Sequence, residues 1–158
     1  MKIIFLDIDG VLNYIGCKSR CQGCYGIEDD KLELLKKIVD STSAKIVLTS
    51  TWKSDWENTD CIEDLNASGQ YMVSKFKKHG LSILAKTIDE EWSKRGRGII
   101  DFINHFPANI ESFVILDDES FDFALVGIDD KFVHTNFHAN GLTEENVSHA
   151  IRILNGDP

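Results

Sequence analysis

The residues best suited to chemistry follow three short apolar runs of the chain. Each run consists mainly of Ile, Val, Leu and Phe, and each ends in carboxylate or hydroxyl side chains. The three pairs are Asp7 and Asp9, Thr49 and Ser50, and Asp117 and Asp118. Continuous apolar runs of this length are typical of strands that are buried on both faces of a sheet. If these strands are parallel neighbours, the three pairs meet in one crevice beyond their carboxyl ends.

Carboxylates gathered in such a crevice predict a bound cation. Asp7 and Asp9 share one side-chain direction while the chain stays extended, because a strand repeats every two residues. Asp118 adds a further carboxylate from another strand, and this cluster costs Coulomb energy unless a cation lies within it. Hard oxygen ligands suit Mg²⁺, which often takes its remaining ligands from water and substrate phosphate. No His or Cys accompanies these residues, which argues against zinc at this place.

The same residue types are sufficient for phosphoryl transfer. That reaction needs positioning, charge neutralisation and a nucleophile. An Asp carboxylate can be the nucleophile through an aspartyl-phosphate intermediate. Ser50 and a basic residue could hold the other phosphate oxygens. The sequence therefore predicts a Mg²⁺-dependent phosphohydrolase.

Helical segments separate the predicted strands. Apolar spacing predicts helices over 30–40, 66–79 and 96–105 and from Thr143 onward, and strands over 2–9, 44–50, 81–88, 112–117 and 131–135. Strands that alternate with helices predict an α/β fold, here a Rossmann-like three-layer αβα sandwich with a mostly parallel sheet.

These segments resemble the sequence motifs of the haloacid dehalogenase-like (HAD) hydrolases. Residues 7–12 (Asp-Ile-Asp-Gly-Val-Leu) match the first motif, and residues 46–50 match the second. Residues 94–97 offer the Lys or Arg of the third motif. Residues 114–122 match the acidic fourth motif, with Asp117 where one spelling of that motif has Gly.

The resemblance implies a reaction in two steps on Mg²⁺. Asp7 would attack phosphorus as the nucleophile. Asp9 would protonate the leaving oxygen and then activate water against the phospho-aspartate. An Asp7 oxygen, the Asp9 backbone carbonyl and Asp118 would hold the metal ion.

The resemblance also implies how the phosphate is held. Ser50 and Thr51 would bind phosphate oxygens, and Arg95 would neutralise the phosphoryl group. Lys94 and Arg97 remain alternatives for the basic residue. The supporting residues, which orient these partners, would be Asp117, Asp122 and Gly10.

A closer similarity covers nearly the whole chain. The sequence features at 9–13, 50–52, 95–96, 134–135 and 141–143 look like those of a capless subgroup, found alone and as the HAD domain of Swiss Army Knife RNA repair proteins. The similarity implies a single HAD-like domain over 1–158, with a small flap at 14–29 and no large cap domain.

The net charge of −9 bears on the substrate. Nucleic-acid backbones favour clustered Lys and Arg, and the one dense basic cluster, Lys75, Lys77 and Lys78, is expected to be a solvated helix face. A small phosphorylated metabolite or nucleotide is therefore the expected substrate. A polynucleotide end is an alternative because an open site can accept a macromolecule, and a non-catalytic module that binds a phosphorylated ligand is another.

Cysteine and tryptophan residues near the motifs leave further alternatives open. Cys17, Cys21 and Cys24 are expected to be unrelated reduced thiols, although their spacing also fits a zinc site or an iron–sulfur cluster. Trp52 and Trp56 are expected to pack on one helix face in the core, unless one of the rings lines the pocket.

The location in the cell is predicted from hydropathy. No apolar run in the sequence is long enough to span a bilayer, and Asp7 interrupts the N-terminal apolar run. A cytoplasmic protein with reduced cysteines is therefore expected.

Overall fold

A five-stranded parallel sheet forms the centre of the computed structural model, which describes residues 1–157. The strands of this sheet are β1 (Lys2–Leu6), β4 (Lys45–Leu48), β5 (Ile83–Lys86), β6 (Ser112–Asp117) and β7 (Phe132–His134). A separate hairpin consists of β2 (Arg20–Cys21) and β3 (Cys24–Tyr25). The helices are α1 (Asp29–Thr42), α2 (Ala67–Lys78), α3 (Arg95–His105) and α4 (Glu144–Asn155).

The order of the strands places β1 in the middle of the sheet. The order is β5-β4-β1-β6-β7, so β4 and β6 are the neighbours of β1. Leu6 pairs with Leu48 on one side and with Leu116 on the other. The polar residues that follow these three strands therefore emerge at one level of the sheet, as the sequence predicts.

Apolar residues alternate between two cores along each central strand. Ile4 and Leu6 of β1 face the core that α1, α2 and α4 cover, whereas Ile3 and Phe5 face the core that α3 covers. Because both faces of the sheet are buried, the strands read as continuous apolar runs. The predicted three-layer αβα sandwich is confirmed.

The third predicted strand, over 81–88, is shorter in the structure, where it is β5. β5 begins at Ile83 rather than at Leu81, since the Leu81 N–H donates to the Phe76 carbonyl and completes the turn after α2. Gly80 allows this turn because its φ is +67°.

The predicted flap contains the hairpin β2–β3. Its two turn residues, Gln22 and Gly23, have φ values of +51° and +80°, as in a tight hairpin turn. Within residues 1–157 no separate folded lid is present, and the segment 87–94 joins β5 directly to α3. None of the helices in this part of the chain is long and apolar enough to cross a membrane.

Candidate active site

Three carboxylates meet at the carboxyl end of the central strands. One oxygen from each of Asp7, Asp117 and Asp118 lies within 4.8 Å of the others. Asp7 and Asp117 extend the strand ladder, since the Asp7 N–H donates to the Leu116 carbonyl at 2.9 Å. Among the described residues this is the only such group of His, Cys, Asp or Glu.

Burial and neighbouring negative charge raise the pKa of two of these three carboxyl groups. Burial, together with the charges of Asp7 and Glu119, raises the pKa of Asp118 to about 6. Burial and the charge of Asp7 also raise the pKa of Asp117, against the opposing effect of Arg95. A divalent cation would relieve this repulsion, so the group fits a metal ion that prefers carboxylate oxygens.

Arg95 provides the positive charge closest to the nucleophile candidate. Its side chain is buried, and Nη1 lies 3.1 Å from Asp7 Oδ2 and also bonds to Asp117 Oδ2. Burial by itself lowers the pKa of Arg95. The carboxylates of Asp7 and Asp117 raise this pKa by more than burial lowers it, so the guanidinium is charged. The guanidinium group of Arg95 lies over the aromatic ring of Phe121, with Cζ 4.3 Å from the ring centroid.

The other two basic candidates do not reach the carboxylates. Lys94 is exposed and pairs with Glu91, and Arg97 is exposed on the first turn of α3. Arg95 alone of the three therefore occupies the position expected of the phosphate-neutralising residue.

Asp122 fixes the start of the helix that carries Arg95. Its Oδ1 accepts from the Gly96 N–H at 2.6 Å, and its Oδ2 accepts from the Arg97 N–H at 3.2 Å. A carboxylate at this place satisfies N–H groups that the helix itself leaves free. Asp122 therefore holds the first turn of the helix on which Arg95 lies.

The hydroxyl residues after β4 differ in accessibility. Ser50 is fully buried, and its Oγ accepts from the Trp52 N–H at 3.2 Å. Thr51 is exposed and begins a 3₁₀ helix, Thr51–Asp55. Ser50 lies beside the central strand end, whereas Thr51 lines an adjoining cavity.

The carboxylate of Asp9 does not belong to the group formed by Asp7, Asp117 and Asp118. Asp9 Oδ1 accepts from Asn13 Nδ2 at 2.8 Å, and Oδ2 accepts from Trp52 Nε1 at 3.2 Å. The side chains of Asp7 and Asp9 do not share one direction as expected, because β1 ends at Leu6 and the chain then turns.

Asn13 ends the segment 9–13 that carries the family resemblance, but motif reasoning assigned it no role. It is fully buried, and it also donates to the Gly26 carbonyl at 2.9 Å and accepts from the Gly10 N–H at 3.0 Å. Its place four residues after Asp9, within reach of the same turn, was a further sequence signal. Asn13 ties the turn that carries Asp9 to the end of the flap.

A cavity of about 260 Å³ opens beside Asp9. The 3₁₀ helix, the hairpin and the start of α2 surround it, and its lining includes Trp52, Tyr25, Gln22 and Ser68. A larger cavity of about 430 Å³ lies between the segment 57–65 and α2, and none of the predicted site residues lines it. The smaller cavity is therefore the one that adjoins predicted site residues, namely Asp9 and Thr51.

The two tryptophans after Ser50 have different environments. Trp56 is buried in the core, as expected, whereas Trp52 is partly exposed and lines the cavity beside Asp9. The expectation of one shared helix face is wrong because the segment is a 3₁₀ helix, in which residues four apart do not lie on one face.

The three cysteine residues of the flap are free thiols. Cys17 and Cys21 are buried and Cys24 is exposed, and they form no metal-binding group within the described residues. The structure therefore gives no support to the zinc and iron–sulfur alternatives.

Comparison with known protein families gives one match that covers most of the chain. The model of the HAD domain in Swiss Army Knife RNA repair proteins matches residues 3–147. The chain belongs to this family. No curated protein matches it significantly.

Membership in this HAD family agrees with the geometry of the site. The family suggests a phosphohydrolase-type activity, and the clustered carboxylates come from the first and fourth HAD motifs, with Arg95 from the third motif beside them. The resemblance stated from the sequence is confirmed.

Gly10 of the first HAD motif allows a close approach between two loops. Its φ is +80°, and a Cβ placed there would lie 2.4 Å from Asp118 Cγ. We expect Gly10→Ala to lower the free energy of unfolding by more than the roughly 1–2 kcal/mol of the left-handed backbone alone, because Asp118 must also move. Chemical denaturation measures the loss, and calorimetric titration should show weakened Mg²⁺ binding.

Gly127→Ala is the matched control for this effect. Gly127 has a φ of +72°, and nothing lies within 4 Å of the position of its Cβ. The control should show the backbone penalty without the loss of metal binding. Equal Mg²⁺ affinity in both variants would contradict the role of Gly10.

Proposed function

We propose that this HAD domain is a Mg²⁺-dependent phosphomonoesterase that forms an aspartyl-phosphate on Asp7. The observation that carries the proposal is the convergence of Asp7, Asp117 and Asp118 with the buried guanidinium of Arg95. Residues 1–158 are proposed to act as one catalytic domain, with 14–29 as its flap, in the cytoplasmic setting expected from the sequence.

The two acidic residues at the end of β6, Asp117 and Asp118, have separable roles in this proposal. Asp117 is fully buried, and its oxygens already accept from Arg95 and from the Glu119 N–H at 3.0 Å. Asp118 is partly exposed. Asp118 would therefore hold Mg²⁺ together with Asp7 and the Asp9 carbonyl, and Asp117 would position Arg95. The metal ion would neutralise charge on the phosphoryl group.

Arg95 and the hydroxyls after β4 would bind the phosphate. The Nε of Arg95 is buried without a hydrogen-bond partner among the described residues, so one donor of the guanidinium is unsatisfied within the protein. Ser50 and Thr51 would supply hydroxyl donors from the opposite side of β1. Charge-assisted bonds from a guanidinium to phosphate are among the strong hydrogen bonds in proteins.

The cavity beside Asp9 would receive the leaving group. Its volume of about 260 Å³ and its Trp52 and Tyr25 rings suit a small organic group with a flat face, such as a nucleoside. A phosphorylated small metabolite or a nucleotide is therefore the proposed substrate.

A polynucleotide end is the second candidate substrate. The family description, which names RNA repair proteins, favours it. The absence of a folded lid over the site in residues 1–157 is compatible with a large substrate. Comparing hydrolysis of mononucleotides with that of 3′- or 5′-phosphorylated oligonucleotides would distinguish the two.

Metal dependence is the direct test of the proposed reaction. We expect hydrolysis of nitrophenyl phosphate to vanish in excess chelator and to return with added Mg²⁺, because the carboxylates of Asp7 and Asp118 repel the substrate when no cation is bound. A continuous absorbance assay measures this. Full activity in chelator would exclude the proposed metal centre.

Asp130→Ala is a matched control for the loss of one carboxylate. Asp130 is exposed and pairs only with its neighbour Lys131. The Asp130→Ala variant should reach half-maximal activity at the same Mg²⁺ concentration as the wild type, whereas Asp118→Ala should need far more Mg²⁺.

A further inference from the structure

The carboxylate of Asp9 is held at both oxygens by side chains from two different segments. Asn13 donates to Oδ1 at 2.8 Å from the turn that follows β1. The indole N–H of Trp52 donates to Oδ2 at 3.2 Å from the 3₁₀ helix that follows β4. Two donors that approach from different directions fix the rotation of the carboxylate.

The indole ring of Trp52 is itself fixed in position. Its backbone N–H donates to Ser50 Oγ at 3.2 Å, and its ring lies against Tyr71 of α2, with 6.4 Å between the centroids. The Tyr71 hydroxyl accepts from the Ile27 N–H at the end of the flap, at 2.9 Å. The orientation of Asp9 is therefore coupled to β4, to α2 and to the base of the flap.

We propose that Trp52 is a positioning residue for Asp9 in the two proton transfers of the reaction. This inference rests on the proposed function. Trp52 and Asp9 line the same cavity, so the hydrogen bond directs the carboxylate toward the leaving group and away from Asp118. The indole N–H can only donate, and it therefore orients Asp9 without competing for the transferred proton.

The proposal defines where each proton goes. In the first step the Asp7 oxygen bonds to phosphorus, the bond from phosphorus to the leaving oxygen breaks, and Asp9 gives its proton to that oxygen. In the second step water bonds to phosphorus, Asp9 takes the proton from that water, and the bond from Asp7 to phosphorus breaks. Both transfers require Asp9 at one place, beside the cavity.

Trp52→Phe removes the indole donor while keeping an aromatic ring against Tyr71. For an alkyl phosphate, whose leaving group needs protonation, we expect kcat/KM to fall roughly 10- to 100-fold, a partial loss of the general acid–base contribution. The leaving group of nitrophenyl phosphate needs no protonation. For this ester the rate of the initial nitrophenolate burst should change less than about 3-fold, and slow steady-state turnover should follow the burst.

Trp56→Phe is the matched control, because Trp56 is a core residue that does not line the cavity beside Asp9. The Trp56→Phe variant should change kcat/KM for both esters by the same small factor. If Trp52→Phe lowers kcat/KM for the two esters by equal factors, Trp52 acts only on stability, and the positioning role is wrong.

A second readout does not depend on turnover. The chain has three tryptophans and so three indole N–H resonances, and Trp52→Phe assigns the one from Trp52. Asp9→Ala should shift this resonance and leave that of Trp56 in place. An unmoved Trp52 resonance would overturn the inference. If the wild type hydrolyses no ester, the proposed function fails, and the resonance still tests the contact.

Discussion

Asp7→Asn should abolish hydrolysis of every phosphate ester, with a fall in kcat of roughly 10⁴-fold or more, as when an enzyme loses its nucleophile. A carboxamide is a poor nucleophile, and Asp7 is the carboxylate that lies 3.1 Å from Arg95 at the end of the central strand. The variant should still fold, since it removes one of the charges that raise the pKa values of Asp117 and Asp118. Circular dichroism and initial rates measure the two properties.

Asp9→Asn should instead leave phosphate bound covalently to the enzyme. It removes the base of the second step, while the backbone carbonyl and the approximate side-chain size are retained. General acid–base assistance contributes about 10²- to 10⁴-fold, so a substrate with a good leaving group should still phosphorylate Asp7. Intact-protein mass after an acid quench should show a phosphate adduct.

The two Asp variants together test the aspartyl mechanism. The double variant Asp7→Asn/Asp9→Asn is the control, and it should show no adduct. Substantial multiple turnover by Asp7→Asn would mean that water attacks phosphorus directly, and the covalent mechanism would then be wrong for this protein.

Arg95→Met should cost both stability and activity. It leaves Asp7 and Asp117 buried without their guanidinium partner, a loss typically of about 3–5 kcal/mol in the free energy of unfolding. It also removes a preorganised positive charge from the phosphoryl group, an effect of about 10²- to 10³-fold on kcat. Urea denaturation and steady-state kinetics measure these effects separately.

Two further variants keep this prediction testable if Arg95→Met fails to fold. Arg95→Lys retains a positive charge and should fold with reduced activity, because an ammonium lacks the second arm of the guanidinium. Arg97→Met removes an exposed charge from the same helical turn and should leave both properties close to those of the wild type. Wild-type kinetics in a folded Arg95→Met protein would contradict the proposed role.

The convergence of the strand ends could be predicted from sequence because it depends on local patterns. Asp7, Ser50 and Asp117 each end an apolar run, and parallel strands bring such ends to one edge of the sheet. The start of α4 was predictable for the same reason, since Thr143 and Asn146 form a capping box within a single turn.

Contacts between distant segments could not be predicted in this way. The hydrogen bond from Trp52 to Asp9 joins residues 43 positions apart, and the contact of Asp122 with Gly96 spans 26. The sequence places an aromatic side chain, Trp52, two residues after Ser50. The 3₁₀ geometry that directs Trp52 and Trp56 to different environments depends on tertiary packing. Motif reasoning therefore predicts which carboxylates lie together better than it predicts the contacts that orient them.

The way in which the flap is anchored has a consequence for the evolution of this domain. Its two ends are joined by the Asn13 bond to the Gly26 carbonyl and by the Glu28 N–H bond to the Leu12 carbonyl, while the hairpin tip at Gly23 has open space around it. Residues inserted at the tip would therefore leave the turn that carries Asp9 undisturbed. Under the proposed function, a longer loop at the tip would change the surroundings of the cavity and leave the clustered carboxylates in place.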